Sequence, residues 1–282
     1  MKTTLLLENN SLFNRYLNAE HGYSAWIEDE DVKILYDTGY SDKFIKNAEA
    51  LGIDLRKADY VVISHGHYDH CGGLKYLIKH YRDTAMAHKP ILLLSHPDIL
   101  LKKYEFNWKV SLGLDVDLDV LQQFFNVKFS AEPVWLTQNL VFMGMTAISN
   151  SFEREFPQTA KRLKDGKWED DYVLEDTQLA YRHKNGEDVS IVASCAHYGI
   201  CNIIEYAKKL TGAKNVHTYL GGSHLRSDET SENQMAKTAE FIGRTGIKKF
   251  FICHDTDFPC KLRLAQVAPI LEAGVGLVVE CV

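Results

Sequence analysis

The sequence predicts an α/β protein with helices covering its sheets, and three observations carry that prediction. Hairpin strands with turn residues between them fill the first part of the chain. Strands alternate with helical patterns in the last third, and apolar residues at 3.6-residue spacing recur between strands. The 282 residues are 45% hydrophobic with only six prolines, the composition of a globular chain long enough to bury a sizeable core. The formal charge of −6 argues against nucleic acid as an electrostatic partner, and leaves room for a small-molecule substrate, anionic ones included where a metal inverts the local field.

Taken in order, Thr3 to Leu7 reads as a strand, and Ser24 to Glu28 with Val32 to Tyr36 as a hairpin around Asp29-Glu30-Asp31. Ser41 is the expected N-cap of a helix that turns Phe44, Ile45, Ala48 and Leu51 inward and closes at Gly52. Val61 to Ser64 is a short buried strand, and Leu74, Leu77, Ile78 and Tyr81 mark a helix. Ile91 to Leu94 is the next strand, with a helix starting at Pro97. The stretch from about 98 to 172 is less regular and rich in aromatics, among them Tyr104, Phe106, Trp108, Phe156 and Trp168. It reads as a lid or pocket wall inserted in one domain spanning 1–282. Thr177 to His183 and Asp188 to Ser194 form a hairpin at Asn185-Gly186, followed by a helix carrying Ile203, Ile204, Ala207 and Leu210. Then come strand His217 to Leu220, helix 229–243, strand Lys249 to Cys253, helix 260–272 and strand Val275 to Glu280.

Chemistry concentrates at His65-Gly66-His67-Tyr68-Asp69-His70, directly after Val61-Val62-Ile63. Imidazole and carboxylate are the groups that hold zinc and similar divalent ions. Three later apolar strands also end at a histidine: Ser190 to Ser194 leads to Cys195-Ala196-His197, His217 to Leu220 to Gly221-Gly222-Ser223-His224, and Phe250 to Ile252 to Cys253-His254. Ligands at strand carboxyl ends are how an α/β sheet builds a site at one edge. Asp176, Glu153 and Arg154 are read as surface residues by default. Arg226 is a candidate contact for a substrate phosphate or carboxylate. His21, His80, His88, His96, His183 and His217 are read as structural.

The six cysteines lack paired spacing and read as reduced thiols of a cytoplasmic protein. The N-terminus has too short an apolar stretch for a signal peptide, and no run is long enough to span a membrane. The sequence allows a homo-oligomer without specifying one.

H-x-H-x-D-H, the preceding Tyr36-Asp37-Thr38-Gly39 and the later single histidines resemble the metallo-β-lactamase superfamily along nearly the whole chain. The resemblance implies a four-layer αβ/βα sandwich. It assigns His65, His67 and His197 to a first metal, and Asp69, His70 and His254 to a second, with Asp37 supporting the ligands from behind. Ser194-Cys195-Ala196-His197-Tyr198-Gly199-Ile200-Cys201-Asn202-Ile203-Ile204, Gly221-Gly222-Ser223-His224-Leu225 and Asp176-Thr177-Gln178-Leu179 resemble the branch of dihydropterin ribofuranosylaminobenzene phosphate synthases and related metal-dependent hydrolases.

Two departures bear on the chemistry. His224 stands where the superfamily usually has an aspartate bridging two metals, so one or two ions are both compatible. His254-Asp255-Thr256-Asp257 replaces the branch's H-C-T-G. The expected activity is hydrolysis of a small-molecule ester or phosphoester by metal-activated water, with Asp69 orienting that water and His224 stabilising developing charge. Zn²⁺ is the first expectation, with Mn²⁺ or Fe²⁺ as alternatives. A pterin-ribofuranosyl synthase-like transferase is the second reading, and an iron redox centre the third.

Overall fold

The computed structural model describes residues 1–84, 89–107, 109–154 and 159–281. His88, Trp108 and Phe156, and the side chain of Arg154, lie outside the described residues. The chain forms two compact units. The first comprises Met1–Ala131, Gln158–Glu175 and Gly274–Glu280, the second Glu132–Pro157, Asp176–Ala273 and Cys281–Val282. The aromatic-rich stretch therefore contributes to both.

The first unit holds a seven-stranded sheet in the order Val278–Glu280, Lys2–Leu7, Ser24–Asp29, Val32–Tyr36, Tyr60–Ile63, Ile91–Leu94, Asn126–Phe129. The predicted hairpin is present, Ala25 facing Tyr36 and Asp29 facing Val32. Beyond it the pairing turns parallel. Val61, Val62 and Ile63 are all buried, which explains an apolar run without alternation. Helices Lys43–Ala50 and Leu74–Asp83 set Phe44, Ala48, Leu74 and Leu77 into the core with Val61, Leu92 and Leu94. Burying a Leu or Phe side chain of this kind contributes about 2 kcal/mol.

A smaller antiparallel sheet, ordered Lys167–Asp170, Ala160–Lys164, Lys103–Glu105, Val110–Ser111, belongs to the same unit. Tyr104, Phe106 and Trp168 pack ring against ring on it, and Phe106 and Trp168 stay about half exposed.

The second unit holds a six-stranded sheet in the order Lys249–Ile252, Asn215–Gly221, Asp188–Val192, Leu179–Arg182, Leu140–Phe142, Val134–Trp135. The first three strands run parallel, so their carboxyl ends share one edge. The hairpin at Asn185-Gly186 is present, with Gly186 at φ +72°. Helices Ile200–Thr211 and Glu232–Thr245 complete a core with Ile191, Tyr219 and Phe250.

Several expected boundaries shift for local reasons. Asp42, not Ser41, occupies the N-cap position of Lys43–Ala50; the Ser41 hydroxyl instead donates to Glu20 at 2.8 Å. Pro97 opens only a 3₁₀ turn, Pro97–Leu100, in which the His96 ring accepts from Asp98 N. The helix placed at 260–272 is Phe258–Leu264, because Asp257 caps it early and Pro259 sits in its first turn. The helix placed at 229–243 is Glu232–Thr245, starting where the Ser231 hydroxyl accepts from Gln234 N. The last strand is confined to Val278–Glu280.

Candidate functional site

In the first unit, strand Val32–Tyr36 delivers Asp37 at φ +57°, a strained left-handed conformation that recurs at functional positions. Its carboxylate is fully buried and organises the neighbouring loop. Oδ1 accepts from Ser64 N at 2.7 Å, and Oδ2 accepts from the Ser64 hydroxyl at 2.7 Å and from His70 Nδ1 at 2.8 Å. A carboxylate can only accept, so the His70 proton sits on Nδ1 and Nε2 keeps its lone pair. Ser64 Oγ, whose hydroxyl hydrogen is donated to Asp37, accepts from His65 Nδ1 at 2.9 Å, which leaves His65 Nε2 unprotonated as well. Both rings thus present a ligand nitrogen while a buried carboxylate network holds the other, the arrangement that orients metal-binding histidines.

The remaining groups of the motif lie beside these. The ligand atoms of His65 and His67, and likewise those of Asp69 and His70, lie within 4.8 Å of one another. The His65 ring is 4.7 Å from that of His67 and 4.2 Å from that of His70. Asp69 Oδ2 is 3.5 Å from His70 Nε2 and 3.1 Å from His21 Nε2. His21, read from sequence as structural, therefore belongs to this cluster. It carries no strand-end signal, and only the fold of the loop before Ser24 brings it in. Gly66 allows the close approach of its two histidines to the chain beneath: a Cβ there would lie 2.6 Å from Ile99 O.

In the second unit, three parallel strands end together and each delivers a histidine. The turn Cys195-Ala196-His197 puts Ala196 at φ +68°. It is held by Asp176, whose Oδ2 accepts from His197 N at 2.8 Å and from Gln178 Nε2 at 2.9 Å, while Gln178 Oε1 accepts from Ser194 N at 3.1 Å. Asp176 is thus fully buried, correcting the surface assignment. General burial frequencies for aspartate hide a backbone N–H partner that only the fold supplies. Glycine at 222 is required for the strand ends to meet, since a Cβ would lie 2.3 Å from His254 O and 2.4 Å from Ser194 O. The ligand atoms of Cys195 and His254 lie within 4.8 Å of one another.

His224, at φ +48°, and Asp255, at φ +49°, form a close ion pair through Nδ1 and Oδ2. Burial opposes the charged form of His224, but the Asp255 carboxylate outweighs it and raises the imidazole above its ordinary value. Burial likewise works against the Asp255 charge, and His224, with its neighbours, holds it well below the usual carboxylate range. The His224 ring is 4.3 Å from that of His197, and Cys195 Sγ is 3.7 Å from Asp255 Oδ2.

Other candidates take structural roles in their own unit. Glu153, assigned to the surface, is buried and accepts from Cys201 N and Asn202 N, both at 2.8 Å, at the start of helix Ile200–Thr211. Burial still pushes its pKa up. Arg226 is engaged by Asp228 at 3.2 Å and Glu229 at 3.4 Å. Asp257, where the branch has glycine, accepts from Cys260 N at 2.9 Å and from Ser227 N at 2.7 Å. Two groups escaped the sequence reading entirely: Asp171, whose Oδ2 lies 3.7 Å from His67 Nε2, and Lys103, 2.9 Å from the same oxygen. Neither stands in a motif.

Residues 17–129 match the family model described as the metallo-beta-lactamase superfamily. The chain is 25% identical to Tm1679, a metal-dependent hydrolase of the beta-lactamase superfamily, whose crystal structure superposes with a TM-score of 0.82 over 100% of this chain and 99% of that one. It is 29% identical to an uncharacterized protein of Methanocaldococcus jannaschii over 97% of this chain and 98% of the relative. It is 26% identical to the 7,8-dihydropterin-6-methyl-4-(beta-D-ribofuranosyl)-aminobenzene-5'-phosphate synthase of the same organism, over 92% of this chain and 88% of that protein. The chain carries the metallo-β-lactamase fold, and its residues 17–129 match the model of the metallo-β-lactamase superfamily.

Proposed function

We propose that the protein is a metal-dependent hydrolase acting on a small-molecule ester or phosphoester. The observation that carries the reading is the Asp37 network, which puts the ring proton of both His65 and His70 on Nδ1 and leaves Nε2 unprotonated, the form that ligates a metal. On the superfamily pattern, carried over by motif, His65, His67 and His197 would hold one ion, and Asp69, His70 and His254 a second. The nitrogen-rich set fits Zn²⁺ first, with Mn²⁺ or Fe²⁺ compatible. A divalent ion held by such ligands supplies acidity to water near neutral pH and polarises an ester or phosphoryl oxygen.

The chain's own groups divide the remaining work. Asp69 Oδ2, with His21 Nε2 at 3.1 Å, accepts and passes on the proton of the attacking water. His224, whose charged form Asp255 favours, sets an imidazole where the superfamily usually places a bridging carboxylate. That suits stabilisation of negative charge on the substrate, and favours an anionic one. The exposed Phe106 and Trp168 form the substrate-facing wall of the inserted stretch in this reading. Arg226 contributes only if substrate displaces Asp228 and Glu229.

The similarity to a named synthase over 92% of the chain supports a second reading, a pterin-ribofuranosyl synthase-like transferase. Screening phosphodiesters, thioesters and lactones in ¹⁸O-labelled water separates the two. Label entering the product supports hydrolysis; product formed without consumption of water supports the transferase. Among the described residues no disulfide joins the cysteines, and no helix is long and apolar enough to cross a membrane. Reduced thiols support a cytoplasmic setting.

A further inference from the structure

The small four-stranded sheet of the first unit places a charged group beneath the His65-Gly66-His67 loop. Lys103 begins strand Lys103–Glu105, paired with Ala160–Lys164 so that Lys103 faces Arg162. Asp171 follows strand Lys167–Asp170 and donates its N–H to Ala160 O at 3.0 Å. Lys103 Nζ lies 2.9 Å from Asp171 Oδ2 and makes a closer contact with Glu175 Oε1. All three side chains are buried. Glu175 Oε1 also accepts from Gly66 N at 3.4 Å, and the Lys103 stem is among the groups a Gly66 side chain would strike, at 3.1 Å.

Two carboxylates against one ammonium leave an excess of negative charge in a dry site. An unbalanced buried charge costs several kcal/mol unless donors surround it. Burial works against the Lys103 charge, but Glu175 and Asp171 outweigh it and keep the ammonium protonated. The excess therefore rests on the carboxylates and calls for further donors. Gly66 N–H serves Glu175, Val173 N–H serves Asp171 Oδ1 at 3.0 Å, and the His67 ring, with Nε2 at 3.7 Å from Asp171 Oδ2, stands beside the other oxygen. That separation is about half an ångström beyond a hydrogen bond, which a small ring rotation closes.

We infer that Asp171, backed by Lys103 and Glu175, is a positioning residue for His67: it holds the proton on Nε2 and so turns Nδ1 of this one ring toward the metal. His65 and His70 are held the opposite way, with their Nδ1 atoms occupied by Ser64 and Asp37. The inference rests on the metal-dependent reading above for its purpose, but the tautomer is a property of the protein alone.

Long-range ¹H–¹⁵N correlation spectra of the histidine rings test it on wild-type protein, zinc-free and zinc-loaded. His67 carrying its proton on Nε2 in both forms is the expected result; a proton on Nδ1 overturns the inference. Zinc stoichiometry of the same sample tests the metal reading separately: a protein that takes up no zinc yet keeps Nε2–H on His67 contradicts that reading and supports this one. Asp171→Ala should weaken zinc, measured against a competing chelator, by about 10–100-fold and mix the His67 tautomers, with Asp171→Glu restoring both. A folded Asp171→Ala with wild-type affinity and tautomer shows a purely structural role and overturns the inference. Where Asp171→Ala does not fold, the wild-type tautomer still decides.

Discussion

The two units carry comparable metal-binding side chains on opposite plans. In the first, His65, His67, Asp69 and His70 sit within six residues, and one buried carboxylate, Asp37, ties Ser64 and His70 in place. In the second, His197, His224 and His254 come from the ends of three parallel strands, each turned by its own device: Asp176 beneath His197, a left-handed backbone at His224, and Gly222 opened to let the strand ends meet. The first plan concentrates the dependence of His65 and His70 on one residue. The second spreads it over several.

His67→Ala tests the concentrated plan most severely and should abolish both metal binding and activity; a metal-free, active variant would break the account. Asp37→Ala comes next. It strands three buried donors at once, and should lower metal affinity about 10–100-fold and stability by about 3–5 kcal/mol, read by urea denaturation. Asp176→Ala, its counterpart in the second unit, should disturb His197 and leave the other two strand ends in place, at about 1–3 kcal/mol. Equal effects of the two substitutions would erase the proposed contrast.

The smallest effect belongs to Asp257, the cap of helix Phe258–Leu264. Asp257→Ala should cost about 1 kcal/mol. Burial acts to raise its pKa, but hydrogen bonds from Ser227 and Cys260 outweigh that and hold it at about 2 against an ordinary 3.8. The sign follows from the depressed value: its contribution is complete above 3.8 and fades as pH falls toward about 2. Asp257→Asn should flatten that part of the acid-unfolding curve, and an unchanged curve would show that the cap is dispensable.

The same contrast explains what the sequence disclosed. The six-residue motif was legible because all its ligands are neighbours in sequence, and the strand-end histidines because an apolar run stops at each. Elements with clear periodicity, such as Leu74–Asp83 and the Asn185-Gly186 hairpin, were legible for the same local reason. Asp171, Lys103, His21 and the burial of Asp176 and Glu153 were not. Each of those side chains takes its meaning from a partner far along the chain, as Lys103 does from Glu175, and no local pattern records such a pairing. Asp257 shows the converse. Read as a lost glycine, it proves to be a gained cap, which is why helix Phe258–Leu264 starts earlier than its apolar spacing suggested.

The most direct test is elemental analysis of protein purified without a metal-affinity tag, alongside His67→Ala and His197→Ala. The account predicts about one or two divalent ions per wild-type chain, lost in His67→Ala and reduced in His197→Ala, with two ions showing that His224 tolerates a binuclear centre. Wild-type protein that holds no stoichiometric metal after reconstitution, or a His67→Ala variant that keeps the full complement, would contradict it.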